Sequence, residues 1–529
     1  MSEGPGTTAA EPGLPADALA SEAAVPPPAR MERAAGGFMR HAASVGTAAL
    51  AVQVIGVVST PLVSRLFSPE AFGIAGIFGS ITGIAAMVGC LRYDAAILLP
   101  REDEDAASLV GLSSLIAVAM TVLVGVVCWF GGRPLLATMH ADSLFADAWI
   151  IPLGQFLMVA ALPLTAWNQR LRNFDRLTGV RITSSLANTI GTLATGAAGL
   201  GLGIHLIYAR VFSGFLLAPL LMLALGWSSD LRYIVRNCTW QRLRAVAIRY
   251  RGFPRLNTLA SLLDILGREA PGLVLAGYFG PAVAGYYALS RRLLYIPGTF
   301  VAGAISEVLF ERAAASRSEG GDLGPLVLSV CKRLVAVGLM PIVAIALIGP
   351  LVFEVVFGAK WAEAGSYTML LAPQVFAMFF SSPITVLFPV LELHRFNLIS
   401  EVLLFLAFVG TIVVGALVWG DVKSTLLLYS VTSSLAILWR LSHLLKAAGA
   451  SVVPVLRHIA LHLSFLAPAI AAGVLTRHVW GLPVVVSVCA VLLAMVPYPF
   501  LMLRVDKELD VATRLVLRKV VSRLRRSPT

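Results

Sequence analysis

Charge is what this chain has least of. Asp, Glu, Lys and Arg together make up 13% of its 529 residues, against 58% hydrophobic residues, and mean hydropathy is +0.83. Soluble domains carry about 25% charged residues, so this balance excludes that class. Cysteine is scarce too. The five (Cys90, Cys128, Cys238, Cys331, Cys489) show no CxxC spacing, which argues against a disulfide framework and a thiolate metal site. The sequence has no P-loop, so ATP hydrolysis by that route is excluded. HExxH and GxSxG are also missing, which removes the zinc-protease and nucleophile-elbow hydrolases.

What fills the chain is apolar sequence. Fourteen segments between residues 42 and 503 are each long enough to cross a hydrocarbon core of about 30 Å. Most of the 41 Lys and Arg residues fall in every second gap between segments. Positive residues are retained on the cytoplasmic side during insertion, so both termini are expected there, in a bacterial inner membrane. No gap on the opposite side exceeds about fifteen residues, too few for a periplasmic catalytic domain. The net charge of +12 sits in the cytoplasmic gaps, where anionic lipids attract it at about 1 kcal/mol per residue; nucleic acid is not an expected partner. The first apolar run is full length and begins after about forty residues, so no cleaved signal peptide is expected.

These features predict an all-α polytopic membrane protein in six parts. Residues 1–40, rich in Ala and Pro, form a disordered cytoplasmic tail. Residues 41–227 form a six-helix bundle, 228–255 a basic cytoplasmic linker, and 256–450 a second six-helix bundle. Two further helices occupy 451–503, and 504–529 is a basic amphipathic tail. In the linker Trp240, Leu243, Ala247 and Tyr250 recur at helical spacing among seven arginines, as in a helix lying on the inner leaflet.

An internal repeat supports the two bundles. Phe67-x-Pro69-x-x-x-Gly73 follows the first span and Phe279-x-Pro281-x-x-x-Gly285 follows the seventh. Units of the same topology are related by a pseudo-two-fold axis along the membrane normal, with a substrate site between them.

Charges inside spans carry the functional reading, because each costs roughly 2.5–3.5 kcal/mol at a span centre. Spans seven and eight hold Asp264, Arg268, Glu269, Arg291 and Arg292. Asp264 lies one turn before Arg268 and can pair with it. One reading has the five neutralise one another and lock two helices together. The other is a cationic cavity wall for an anionic ligand: Arg268, Arg291 and Arg292 bind substrate, and Asp264 or Glu269 exchanges H⁺ or Na⁺. Arginine suits that wall because it stays charged when desolvated and bonds phosphate bidentately. Gln53, Asn188 and Gln374 are weaker candidates, more simply read as helix-packing groups. Arg92 and Asp94, in the charged loop after span two, are candidates for a cytoplasmic gate, with a solvated loop as the plain alternative. No catalytic residue, metal site or bound cofactor is expected beyond the coupling ion.

Several stretches resemble the polysaccharide transport family, the Wzx-like flippases of the multidrug/oligosaccharidyl-lipid/polysaccharide (MOP) exporter superfamily. They are Leu91-Arg92-Tyr93-Asp94-Ala95-Ala96-Ile97-Leu98-Leu99-Pro100, Asn168-Gln169-Arg170-Leu171-Arg172-Asn173-Phe174, Tyr250-Arg251-Gly252-Phe253-Pro254 with Gly280-Pro281-x-x-x-Gly285-Tyr286-Tyr287, and Phe357-Gly358-x-x-Trp361-x-x-Ala364-Gly365. The resemblance covers roughly residues 40–450. It implies two six-helix bundles and alternating-access translocation of a polyprenyl-diphosphate-linked oligosaccharide for lipopolysaccharide, capsule or exopolysaccharide synthesis. Implied partners are that lipid-linked glycan, anionic lipids, and a polysaccharide polymerase with its export machinery. The rivals are a cation-coupled multidrug antiporter of the same superfamily, a membrane-embedded glycan polymerase or ligase, and a non-transporting scaffold.

Overall fold

The computed structural model describes residues 50–226, 230–254, 258–476, 480 and 483–505. The tail 1–40 and nearly all of the tail 504–529 lie outside the described residues. Helices occupy the positions of all fourteen predicted segments, and no strand occurs among the described residues. In chain order they are α1 (Leu50–Leu66), α2 (Pro69–Gly89), α3 (Asp103–Thr138), α4 (Ile150–Arg170), α5 (Phe174–Ala197), α6 (Gly203–Ala224), α7 (Thr258–Phe279), α8 (Pro281–Ser318), α9 (Gly324–Phe357), α10 (Ala359–Val390), α11 (His394–Trp419), α12 (Val422–Ala447), α13 (Val453–Val474) and α14 (Val485–Val505). Ten of them are long and apolar enough to span a membrane by composition alone. The others are α1, whose described part is short, and α5, α7 and α8, which carry polar or charged groups.

Local chemistry sets the helix ends. Ser68 caps α2, its Oγ accepting from the Ala71 N–H at 3.1 Å, and Pro69 opens the first turn. Gly280 at φ +86° ends α7 and Pro281 opens α8. Asp421 caps α12 through the Ser424 N–H at 2.8 Å. In bilayer the outward faces stay apolar, as with Trp129 on α3, 85% exposed.

Helices α1–α6 make up the first half of the chain and α7–α12 the second. Phe78, Ile77, Ile151 and Leu157 join α2 and α4 in the first core. Leu334, Leu339, Tyr367, Phe380 and Tyr429 join α9, α10 and α12 in the second. That second core also takes in Leu466, Val491 and Tyr498, so α13 and α14 pack onto α9. There Tyr498 donates to the Ala336 carbonyl at 3.0 Å and contacts His462 Nδ1 at 2.8 Å.

The linker differs from its expected place. Its two helices, Asp230–Asn237 and Trp240–Arg249, fold back onto the N-terminal end of α3. Ile234 and Val246 are buried there, with Leu243, Ala247 and Tyr250 packed alongside, whereas Trp240 stays 74% exposed. Arg249 pairs with Asp105 and Arg176 with Asp230, each at 3.1 Å. The apolar face expected on lipid is covered by protein, because α3 runs on past the bilayer core and offers Leu109 and Val110 as a nearer apolar partner.

The two repeat motifs meet. A Cβ on Gly73 would fall 1.7 Å from the Pro281 carbonyl oxygen, and one on Gly285 would fall 2.0 Å from the Pro69 carbonyl oxygen. Each glycine therefore receives the backbone of the other motif, and the repeat is the crossing of α2 on α8.

Candidate functional site

Beside that crossing the ends of the halves expected on the outer side are sealed. Arg65, at the end of α1, donates to the carbonyls of Val355 at 2.8 Å and Val356 at 3.3 Å, in the last turn of α9. Lys360 donates back to the Arg65 carbonyl at 3.0 Å. Each helix C-terminus thus has its orphan carbonyls bound by a cation of the other half. Between them Trp361, wholly buried, donates Nε1–H to the Ser64 carbonyl at 2.9 Å and meets Phe72 edge-on at 5.0 Å.

Below the seal lies a cavity of two adjoining lobes, about 370 and 280 Å³. The larger is lined by α1, α2, α5, α6 and α8, the smaller by α2, α7 and α8; both include Gly76, Ala288 and Arg292. Successive residues of a helix point about 100° apart, which separates the two adjacent arginines of α8. Arg291 turns toward α7, donating to the Arg268 carbonyl and lying over the Tyr295 ring at 5.4 Å. Arg292 turns toward α1, its Nη2 3.4 Å from the Gly56 carbonyl. Opposite it stands Arg210, on a π-helical turn (Arg210–Phe215) within α6. Glycines make room for both: a Cβ at Gly56 would lie 3.0 Å from Arg292, and one at Gly79 3.2 Å from Arg210. Glu269 is the one carboxylate among the described lining residues. Ser80 donates to it at 2.7 Å, and its charge acts on Arg210 and Arg291.

Arg268 behaves differently from its neighbours. It pairs with Asp264 one turn away and lines a small pocket with Arg291, Gln374 and Tyr429. Near this pair, Glu401 of α11 and Arg440 of α12 form a second ion pair at 2.8 Å. Arg440 also donates to Asn397 Oδ1 at 2.7 Å and covers the Phe388 ring at 4.8 Å. Gln53 and Asn188 both line the larger lobe.

Arg92 and Asp94 lie in the loop after α2, which packs on its own half. Tyr93 and Ala96 are buried against Trp167, and Tyr93 donates to the Ala247 carbonyl of the linker at 3.0 Å. Leu91 and Arg92 take left-handed conformations (φ +46° and +62°), making the sharp turn that tucks the loop under α3. Burial pushes the Asp94 carboxyl above the usual range, partly offset by the Arg92 charge beside it. Arg170 fastens the rest of the loop, donating to the Pro100 carbonyl at 2.7 Å and pairing with Asp103 at 2.8 Å.

Sequence reasoning missed Arg210, Glu401 and Arg440 as intramembrane charges. It counted intramembrane charges only in spans seven and eight, yet Arg210 and Arg440 fall within α6 and α12. The signal was present, but each lies close enough to a segment end to pass for a flanking charge.

The model of the family described as polysaccharide biosynthesis protein matches residues 62–366. No curated protein matches the chain. Among solved structures, an inward-facing multidrug resistance MATE family transporter of the MOP superfamily is similar, with a TM-score of 0.58 at 16% identity over 76% of this chain and 96% of its own. The lipid II flippase MurJ in an inward closed conformation gives a TM-score of 0.61 at 12% identity over 87% of this chain and 98% of its own. The fold is therefore the MOP fold: two six-helix bundles about a pseudo-two-fold axis, with two helices added at the C-terminus. With more than half of its length matched, this multi-pass membrane protein belongs to the polysaccharide biosynthesis protein family.

Proposed function

We propose that the chain is a flippase that moves a polyprenyl-diphosphate-linked oligosaccharide across a bacterial inner membrane by cation-coupled alternating access. The observation that carries the reading is the cavity: Arg210 from one half and Arg291 and Arg292 from the other face one space whose described lining holds a single acid. Three guanidinium groups in a low-dielectric site cost too much to keep for packing alone. A diphosphate would offset that cost, since arginine binds phosphate oxygens through a fixed fork of donors. The sugar would cross in the cavity while the prenyl chain stays in lipid.

The diphosphate assignment falls to Arg210, Arg291 and Arg292. Arg268 stands further off, because Asp264 already neutralises it. Glu269 is the acid placed to exchange H⁺ or Na⁺, with Asp264 second to it, and Arg92 and Asp94 would contribute to closure on the cytoplasmic side. A drug-cation antiporter would need the opposite sign of cavity.

The test is flipping of a fluorescent polyprenyl-diphosphate oligosaccharide in proteoliposomes. Arg291→Ala/Arg292→Ala should slow it at least tenfold at unchanged protein level. A normal rate would sink the diphosphate assignment.

A further inference from the structure

The larger lobe has a chemistry of its own. Ser185, Asn188, Thr189 and Thr192 follow one another at i, i+3, i+4 and i+7, so α5 presents one polar stripe to it. Gln53 of α1 adds an amide from across the lobe. All five side chains are neutral, and each can both donate and accept hydrogen bonds, as a sugar hydroxyl does. The Oδ1 of Asn188 is enclosed without a hydrogen-bond partner among the described residues. A buried polar atom without a partner calls for an account, and a donor brought by a ligand is one. The smaller lobe is lined instead by Ile77, Ala284 and tyrosines around Glu269.

Charge orders the two lobes. Arg292 lines both, and Arg210 faces it within the larger one, so a ligand bridging these arginines puts its anionic end there and its body along the α5 stripe. Beyond the arginines the described lining offers no further cation and no acid. An acidic ring would stand there without a counter-charge in a low dielectric, and a prenyl chain would leave the amides unbonded. Resting on the flippase reading, we propose that this lobe is the subsite for the sugar joined directly to the diphosphate, and that it selects a neutral, hydroxyl-rich ring.

The experiment measures binding of three probes to the full chain in nanodiscs: bare polyprenyl diphosphate, the same lipid bearing one neutral hexose, and the same lipid bearing one hexuronic acid. The wild type should bind the hexose form about tenfold more tightly than the bare lipid. Asn188→Ala/Gln53→Ala should bring that ratio close to one while leaving the bare lipid's affinity unchanged. Thr189→Val/Thr192→Val, which keeps side-chain shape, should lower the ratio in the same way if the amide variant folds poorly. A ratio unchanged in both variants, or an equal loss for bare and sugar-bearing lipid, overturns the subsite. Binding of the hexuronic form as tight as the hexose form overturns the preference for a neutral ring. Failure of the flippase reading looks different: the wild type then ignores bare diphosphate, and Arg292→Gln changes nothing.

Discussion

Gly285→Ala puts the crossing of the two repeat motifs to the test. The new Cβ would lie 2.0 Å from the Pro69 carbonyl oxygen and 3.0 Å from the Gly73 nitrogen, where ordinary contact needs 3.4–4 Å. Both obstacles are backbone, so no rotamer change relieves them and α2 must move off α8 by more than an ångström. Overpacking of this kind costs about 1–3 kcal/mol. On the alternating-access reading the motifs part when the outer end opens, so the cost falls on the closed state, in which they touch. A bias of that size moves a two-state population by about 5–150-fold toward the outer-open state. The readout is Ala288→Cys, in a background lacking the five native cysteines, labelled from the periplasmic side by an impermeant maleimide; Ala288 borders both lobes beneath the seal. Gly285→Ala should speed labelling at least fivefold. Gly83→Ala, on α2 with no atom within 4 Å of its added Cβ, should not. If Gly285→Ala labels at the parental rate at a normal protein level, the crossing does not hold the outer end shut.

Two further outcomes follow from the same contacts. Trp361→Ala removes a wholly buried ring and its bond to Ser64, a truncation worth about 3–5 kcal/mol, and should lower the thermal midpoint in detergent markedly; an unchanged midpoint would mean that the seal carries little stability. Asp94→Asn should stabilise at neutral pH. Burial raises the folded carboxyl's pKa, so the wild type loses stability as pH rises from the unfolded value, about 3.9, through the folded one, and the full cost persists above it. Unfolding at pH 7 should show the variant ahead and at pH 3 the two alike; a gain equal at both would contradict burial as the cause.

The spans were legible because a bilayer asks for one thing, about twenty apolar residues, and sequence states it directly. The Asp264–Arg268 pair was legible for a similar reason, since its partners are four residues apart on one helix. The contacts that sequence left hidden join distant residues. Pro69-x-x-x-Gly73 and Pro281-x-x-x-Gly285 could be read as a repeat, but that each glycine receives the other motif's carbonyl depends on how α2 crosses α8. Glu269 could be read as free to meet another helix, but not as the acceptor of Ser80, 189 residues away. The linker's apolar face was visible, whereas its choice of α3 over lipid depended on α3 running past the bilayer core. Arg210 was lost to the uncertainty of a segment boundary.

On the flippase reading, one pair of residues supplies both the affinity for the ligand and the drive for turnover. Arg210 belongs to α6 and Arg292 to α8, one in each half, and their charges repel across the cavity. Glu269 moderates that repulsion while also holding Ser80, and it is one carboxylate among three lining guanidiniums. Any motion that brings the halves together around an empty cavity concentrates this like charge, which a low dielectric makes expensive. A diphosphate between the two arginines reverses the sign of the interaction, and does so more strongly the closer the halves approach. The ligand then binds the closed arrangement better than the open one, the only kind of binding that can shift a conformational equilibrium. The ion pairs Asp264–Arg268 and Glu401–Arg440 lie within one half, so their attraction is common to both arrangements and favours neither.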